Sequence, residues 1–202
     1  MRNLFSLFFL LTIISFSCSN KQKVTSDLFN VDSLIDAQSR YLKEEHAGLE
    51  KISSLGNSRD SVFSIPKDTT AWKNELEAFN VLHLINKPVN RNSYTIENQE
   101  DTKSNLSVRT FAIKASLPTD EKKLPIEYLK IYYQETPDKI RRIEGQYRES
   151  GRMYKTLQIL RMEFEPVHDK MVLTSYSISG GQKMLMGDSV QYEINTSVIL
   201  TK

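Results

Sequence analysis

From Tyr94 onward the spacing of apolar residues falls from 3.6 toward 2, and the segments that carry this alternation are joined by very short links. Segments 108–116, 126–134, 139–149, 153–165, 171–179 and 189–200 read as strands. Between them stand Pro118-Thr119-Asp120, Thr136-Pro137-Asp138, Ser150-Gly151, residues 166–169, and the glycine turns Gly180-Gly181 and Gly187-Asp188. A parallel crossover needs about a dozen residues, so neighbours joined this closely pair antiparallel and the sheet is a meander. Val190, Tyr192, Ile194, Val198 and Leu200 point to one face of the last strand. In segment 153–165 the apolar set passes from Leu157 and Ile159 to Leu160, Met162 and Phe164, which predicts a bulge or bend near Ile159.

The first hundred residues have a different rhythm. Val31, Leu34, Ile35, Tyr41 and Leu42 recur at helical spacing, with Asp32 or Ser33 as cap and Gly48 as a left-handed stop, which predicts a helix over 31–47. Residues 49–55 and 61–65 flank Gly56-Asn57-Ser58-Arg59 as a hairpin. Trp72, Leu76, Phe79 and Leu82 predict a second helix over 71–86, ended by Pro88. The expected class is α+β, with two N-terminal helices and an intervening β-hairpin packed on a curved antiparallel meander sheet of about six strands.

The single cysteine, Cys18, stands directly behind an uncharged apolar run, residues 4–16, that follows Arg2. The run is too short to cross a bilayer core as a helix, which needs about 20 residues. It has the layout of a cleaved export signal, and Ser15-Phe16-Ser17-Cys18 resembles a lipobox whose cysteine becomes the acylated first residue. Ser15 and Ser17 also fit ordinary signal cleavage, which would leave Cys18 as a free thiol. The expected organisation is a signal peptide over 1–17, a polar tether over 18–30 and one domain over 31–202. Ser19 is not the aspartate of inner-membrane retention, and residues 19–23 lack an acidic cluster for surface export. Both point to the periplasmic leaflet of an outer membrane, with bilayer lipid, reached through Cys18, as the first partner.

The segments Trp72-Lys73-Asn74-Glu75-Leu76-Glu77-Ala78-Phe79, Ile85-Asn86-Lys87-Pro88 and Tyr176-Ser177-Ile178-Ser179-Gly180-Gly181-Gln182-Lys183 resemble a set of uncharacterised lipoproteins of Bacteroidota-type bacteria. That resemblance implies origin and location, and no catalytic residue. The net charge of +2 includes Arg2, so the mature chain is close to neutral and carries no field to steer it toward nucleic acid. A lone cysteine forms no internal disulfide, so packing and backbone pairing hold the fold.

Two groups of residues qualify as candidate sites. Arg141, Arg142, Arg148, Arg152, Lys155 and Arg161, interleaved with Tyr147 and Tyr154, suit an anionic envelope ligand such as a lipid phosphate or a glycan. The plainer explanation is a solvated sheet face. Asp32-Ser33-Leu34, Asp60-Ser61-Val62, Asp68-Thr69-Thr70 and Asp188-Ser189-Val190 resemble O-glycosylation acceptors, with Ser33, Ser61, Thr69 and Ser189 as the acceptor oxygens. The same dipeptides are preferred caps and turn openers at element boundaries. His46, His83 and His168 lie far apart with no second metal ligand at helical spacing, and no nucleophile elbow or phosphate loop appears. No cofactor, metal or catalytic residue is therefore expected. The expected role is a non-enzymatic binding or structural module with an envelope glycan, lipid or protein as partner. The alternatives are a lipid or lipoprotein carrier with an open apolar cavity in the curved sheet, and an envelope hydrolase.

Overall fold

The computed structural model describes residues 28–117, 124–184 and 186–200. Cys18, the expected signal peptide and most of the expected tether lie outside the described residues. The expected α+β class is overturned: the described residues form mostly one nine-stranded antiparallel sheet. Its strands are β1 (Gly48–Leu55), β2 (Ser58–Ser64), β3 (Tyr94–Asp101), β4 (Leu106–Ile113), β5 (Ile126–Tyr133), β6 (Ile140–Ser150), β7 (Tyr154–Val167), β8 (Lys170–Met184) and β9 (Ser189–Ile199). The helical segments are short: α1 (Val31–Glu44), α2 (Thr69–Glu75), a 3₁₀ stretch (Glu77–Asn86) and α3 (Pro88–Arg91). None of the described helices is long and apolar enough to cross a membrane.

Two features account for the miscount of strands. The N-terminal hairpin is not a separate unit between helices, because β1 pairs with β9 along its whole length, from Gly48–Ile199 to Leu55–Tyr192. An isolated hairpin is marginal in water, and joining the sheet supplies the missing neighbour. The order is therefore β2-β1-β9-β8-β7-β6-β5-β4-β3, with the chain's first hairpin docked on its last strand. In addition, residues 94–101, too polar to read as a strand, pair with β4 as the far edge of the sheet.

The helices depart from expectation in ways their side chains explain. α1 is capped by Asn30, whose Oδ1 accepts from the Ser33 amide at 2.9 Å, and neither Asp32 nor Ser33 serves as cap. It ends at His46, which takes φ +53° where Gly48 was expected to turn the chain. The His46 amide donates to the Lys43 carbonyl at 3.2 Å and the Ala47 amide to the Leu42 carbonyl at 3.0 Å, a Schellman closure. Gly48 instead opens β1, where a Cβ would stand 2.8 Å from the Phe63 ring. A left-handed residue with a Cβ costs roughly 1–2 kcal/mol. His46→Gly is accordingly expected to raise unfolding free energy by about 1 kcal/mol, read as a higher urea midpoint at unchanged slope.

The expected second helix is broken at Leu76. Phe79, Leu82 and Ile85, all essentially buried, stand three residues apart, and a 3₁₀ helix with three residues per turn lines them up where an α-helix would not. They join Trp72 and Leu76 over the sheet residues Ile143, Leu160, Met162 and Phe164. Leu82 lies directly over Gly145, where a Cβ would be 2.5 Å from its Cδ2. The helix-facing side of the sheet is thus filled. Asn86 fastens the incoming chain to this layer, accepting from the Leu28 amide at 2.8 Å and donating to the Phe29 carbonyl at 2.7 Å.

The slip expected near Ile159 does not occur. Register between β7 and β8 runs unbroken from Tyr154–Met184 to Glu163–Ser175, and the shift falls between Glu163 and Phe164. Gly180-Gly181, expected as a turn, lies inside β8. Leu157 and Ile159 therefore belong to the face opposite Leu160, Met162 and Phe164.

Candidate functional site

The face away from the helices is set by four cross-strand rows. One row runs Arg142, Glu163, Ser175, Ser197; the next Glu144, Arg161, Ser177, Asn195; the next Gln146, Ile159, Ser179, Glu193; the last Arg148, Leu157, Gly181, Gln191. Every outward position of β8 in these rows is small. Strand β8 is therefore the floor of a groove between the taller side chains of β7 and β9. Its widest part is a trough of about 920 Å³ around Leu157, Ile159, Ser179 and Gly181. A second hollow of about 240 Å³ continues it past Ser177 and Ser175, between Arg161 and Asn195.

The glycines shape the trough. At Gly180 a Cβ would stand 2.5 Å from the Leu157 carbonyl and 2.9 Å from the Tyr192 hydroxyl, so Tyr192 crosses the opposite face of the strand here and accepts from Gln158 Nε2 at 2.5 Å. At Gly181 the Gln191 amide lies over the strand, its Nε2 2.9 Å from where a Cβ would be. Leu157 is 42% exposed and Ile159 37%, so the trough carries two branched apolar residues in water on interior strands. On the other face of this stretch of β7, Tyr154, Thr156 and Gln158 are half-buried, and full burial begins at Leu160.

The arginine cluster resolves into separate pairs. Arg142 Nε meets Glu163 Oε1 at 2.6 Å, Arg148 Nη2 meets Glu127 Oε2 at 2.6 Å, and Arg161 Nη2 meets Glu144 Oε2 at 2.7 Å. Arg142 also lies 5.3 Å from the Tyr132 ring centroid and Lys130 5.3 Å from that of Tyr128. Burial pushes the Glu144 carboxyl up, but hydrogen bonds from Arg161 and Tyr128 and the charges of Arg161 and Lys130 outweigh it and hold the group below its ordinary value. Burial and the neighbouring Glu144 raise Tyr128 to about 12, so it stays a donor. The cationic heads of Arg142, Arg148 and Arg161 are thus already partnered. Arg141 is the extra residue at the register shift of the β5–β6 ladder, between Arg142 and Ile140, and Arg152 is exposed in the β6–β7 turn.

Lys155 differs. It stands directly opposite Lys183, with Ser150 and Ser189 as the outer partners of the same row. Among the described residues no carboxylate pairs with either lysine. Both line the trough. Lys183, Leu157, Ile159 and Gln191 are members that reading the sequence missed. The available signal is that the apolar set of β7 changes face between Ile159 and Leu160, a pattern that a bulge also produces.

The four acceptor dipeptides do not converge. Ser33, Ser61 and Ser189 are exposed and Thr69 is half-buried. Asp68 caps α2 through the Ala71 amide at 2.8 Å, while Ser61 lies within β2 and not at an element boundary. Ser189 opens β9 beside Lys183. Cys18 lies outside the described residues. His168 and Asp169 both take positive φ in the two-residue turn from β7 to β8, as a type I′ hairpin requires, and His83 faces Asp32 at 3.3 Å. Among the described residues no three His, Cys, Asp or Glu side chains gather as a metal site. Compared with known proteins, the chain matches no family model, no curated protein and no solved structure.

Proposed function

We propose that this chain is a lipid-anchored envelope protein, held through Cys18 on the periplasmic leaflet of an outer membrane, whose domain binds a ligand in the trough on the uncovered face of its sheet. The trough itself carries the reading. At about 920 Å³ it is at the upper end of the roughly 300–1,000 Å³ typical of ligand pockets, and it combines apolar walls with a few polar groups. The helix-facing side offers no such room, because Trp72, Phe79, Leu82 and Ile85 are packed into it. A carrier with its cavity between helices and sheet is disfavoured on that ground.

Ser179 is the position to test, since its side chain points into the trough between Ile159 and Glu193 and away from the core. Protein purified from its own host is expected to carry a non-covalent adduct in native mass spectrometry, and Ser179→Trp, which fills the space, is expected to lose it. Cys18→Ala in the same host is expected to move the protein from the membrane fraction to the soluble one. Equal adducts in wild type and Ser179→Trp would remove the trough from the account, and unchanged fractionation of Cys18→Ala would remove the anchor.

A further inference from the structure

We infer that the ligand of the trough is a single-chain amphiphile with an anionic head, its chain lying along Leu157 and Ile159 and its carboxylate or phosphate held between Lys155 and Lys183. This rests on the trough being the recognition surface and names the chemical class it takes. The first support is the lysine pair. Like charges directly opposite on neighbouring strands destabilise a sheet. Lysines are often placed on strands to prevent aggregation, but that device belongs to sheet edges, and β7 and β8 are interior strands. All three arginines on this face have a carboxylate each, whereas Lys155 and Lys183 share none, so two cations without a carboxylate stand side by side in one row of the trough. A bound anion between the two ammonium groups relieves their repulsion.

The second support is the order of chemistry along the strands. Lys155, Leu157 and Ile159 stand on one side of β7, so the lysine row is followed by two rows that each carry one branched apolar residue, over roughly 13 Å of strand. The carboxylate of Glu193 belongs to the Ile159 row, at the far end from the lysines, and donation from Asn195 Nδ2 at 3.0 Å turns it toward β9's own surface. An anionic head is therefore attracted at one end and repelled at the other, which fixes the direction of the chain. Ser179 leaves open space beside Leu157 and Ile159, and the Gln191 amide, which lies over Gly181, forms the opposite bank.

The test uses the full exported chain with Cys18→Ser, so that no acyl group of its own competes. Decanoate, 1-decanol, butyrate and inorganic phosphate are titrated separately while the amide signals of Gly181 and Lys183 are followed by NMR. Decanoate is expected to shift both signals to saturation, 1-decanol to bind at least tenfold more weakly, and butyrate and phosphate to produce no saturable shift. Lys155→Gln with Lys183→Gln is expected to weaken decanoate at least tenfold while leaving 1-decanol unchanged; both side chains are exposed, so the fold survives the change. Decanoate and 1-decanol binding alike, insensitive to the lysines, would overturn the anionic class and leave the trough standing. Saturation by butyrate or phosphate alone would overturn the chain. Failure of every probe to move Gly181 overturns this inference, and the Ser179→Trp comparison then decides separately whether the trough binds something else.

Discussion

Trp72→Ala is expected to lower unfolding free energy by about 3–5 kcal/mol, the range for truncating a large buried aromatic. Trp72 is fully buried on α2 and packs in the same core as Leu76, Phe79 and the sheet residues beneath. Next to it, Glu75 ties the helix to the sheet through Lys51 and the Tyr176 hydroxyl, so a cavity here loosens the attachment of the whole helical layer. Trp72→Phe separates two contributions. The indole Nε1 is buried with no acceptor among the described residues, and an unmet donor costs roughly 1–3 kcal/mol. Phenylalanine keeps most of the apolar volume and removes that donor, so its loss is expected to stay within about 1 kcal/mol of wild type. Urea unfolding followed by far-UV circular dichroism measures both, since the chain has one tryptophan and fluorescence is lost with it. A Trp72→Ala loss under 1 kcal/mol would mean that the helical layer is not packed as described.

Local pattern was readable where one face is wet and the other dry. Strand β5 alternates Leu129, Ile131 and Tyr133 against Tyr128, Lys130 and Tyr132, and both its position and its inward face follow from that alternation. The start of α1 at Val31 is equally plain from its apolar stripe. What the chain does not display locally is pairing between distant segments. Nothing in residues 48–55 says that they will lie against residues 192–199, because long-range register is fixed by the whole sheet closing its ladder. The α+β expectation fails for that reason: the N-terminal hairpin, which lies between helices in sequence, belongs to the sheet.

The trough was hidden by the rule that apolar residues point inward. Leu157 and Ile159 break period 2 if only one face of β7 can be apolar, and a bulge restores the rule. The unbroken register shows the other solution, in which the strand keeps its period and its apolar residues change face, Leu157 and Ile159 being left in water and Leu160, Met162 and Phe164 buried. The basic cluster was legible as residues and misleading as a field. Arg142, Arg148 and Arg161 are close in sequence to one another, but each is neutralised from a neighbouring strand, by Glu163, Glu127 and Glu144 in turn. Lys183 was overlooked because its importance comes only from standing opposite Lys155.

Gln38→Leu is expected to cost about 3 kcal/mol, since it leaves two backbone groups unmet at roughly 1–3 kcal/mol each. Pairing between β8 and β9 stops at Ser175–Ser197, so the segment Met171–Leu173 has no strand on that side. Gln38, buried on α1, takes the place of one: its Nε2 donates to the Met171 carbonyl at 2.9 Å and its Oε1 accepts from the Leu173 amide at 2.8 Å. A side-chain amide has the same donor and acceptor as a peptide unit, and here it extends the ladder from a helix. Leucine matches glutamine in bulk, so packing is kept and the loss reports the two hydrogen bonds. Gln38→Glu retains the acceptor for Leu173 but cannot donate to Met171 when ionised, and burying its charge adds a cost that falls as pH is lowered and the carboxyl protonates. The order expected at neutral pH is therefore wild type above both variants, with Gln38→Glu alone recovering toward wild type on acidification. Hydrogen exchange gives the local readout: the Leu173 amide, fully buried in β8, should lose protection in Gln38→Leu ahead of its neighbours on β7. A leucine variant as stable as wild type, with Leu173 still protected, would show that α1 is held to the sheet by apolar packing alone.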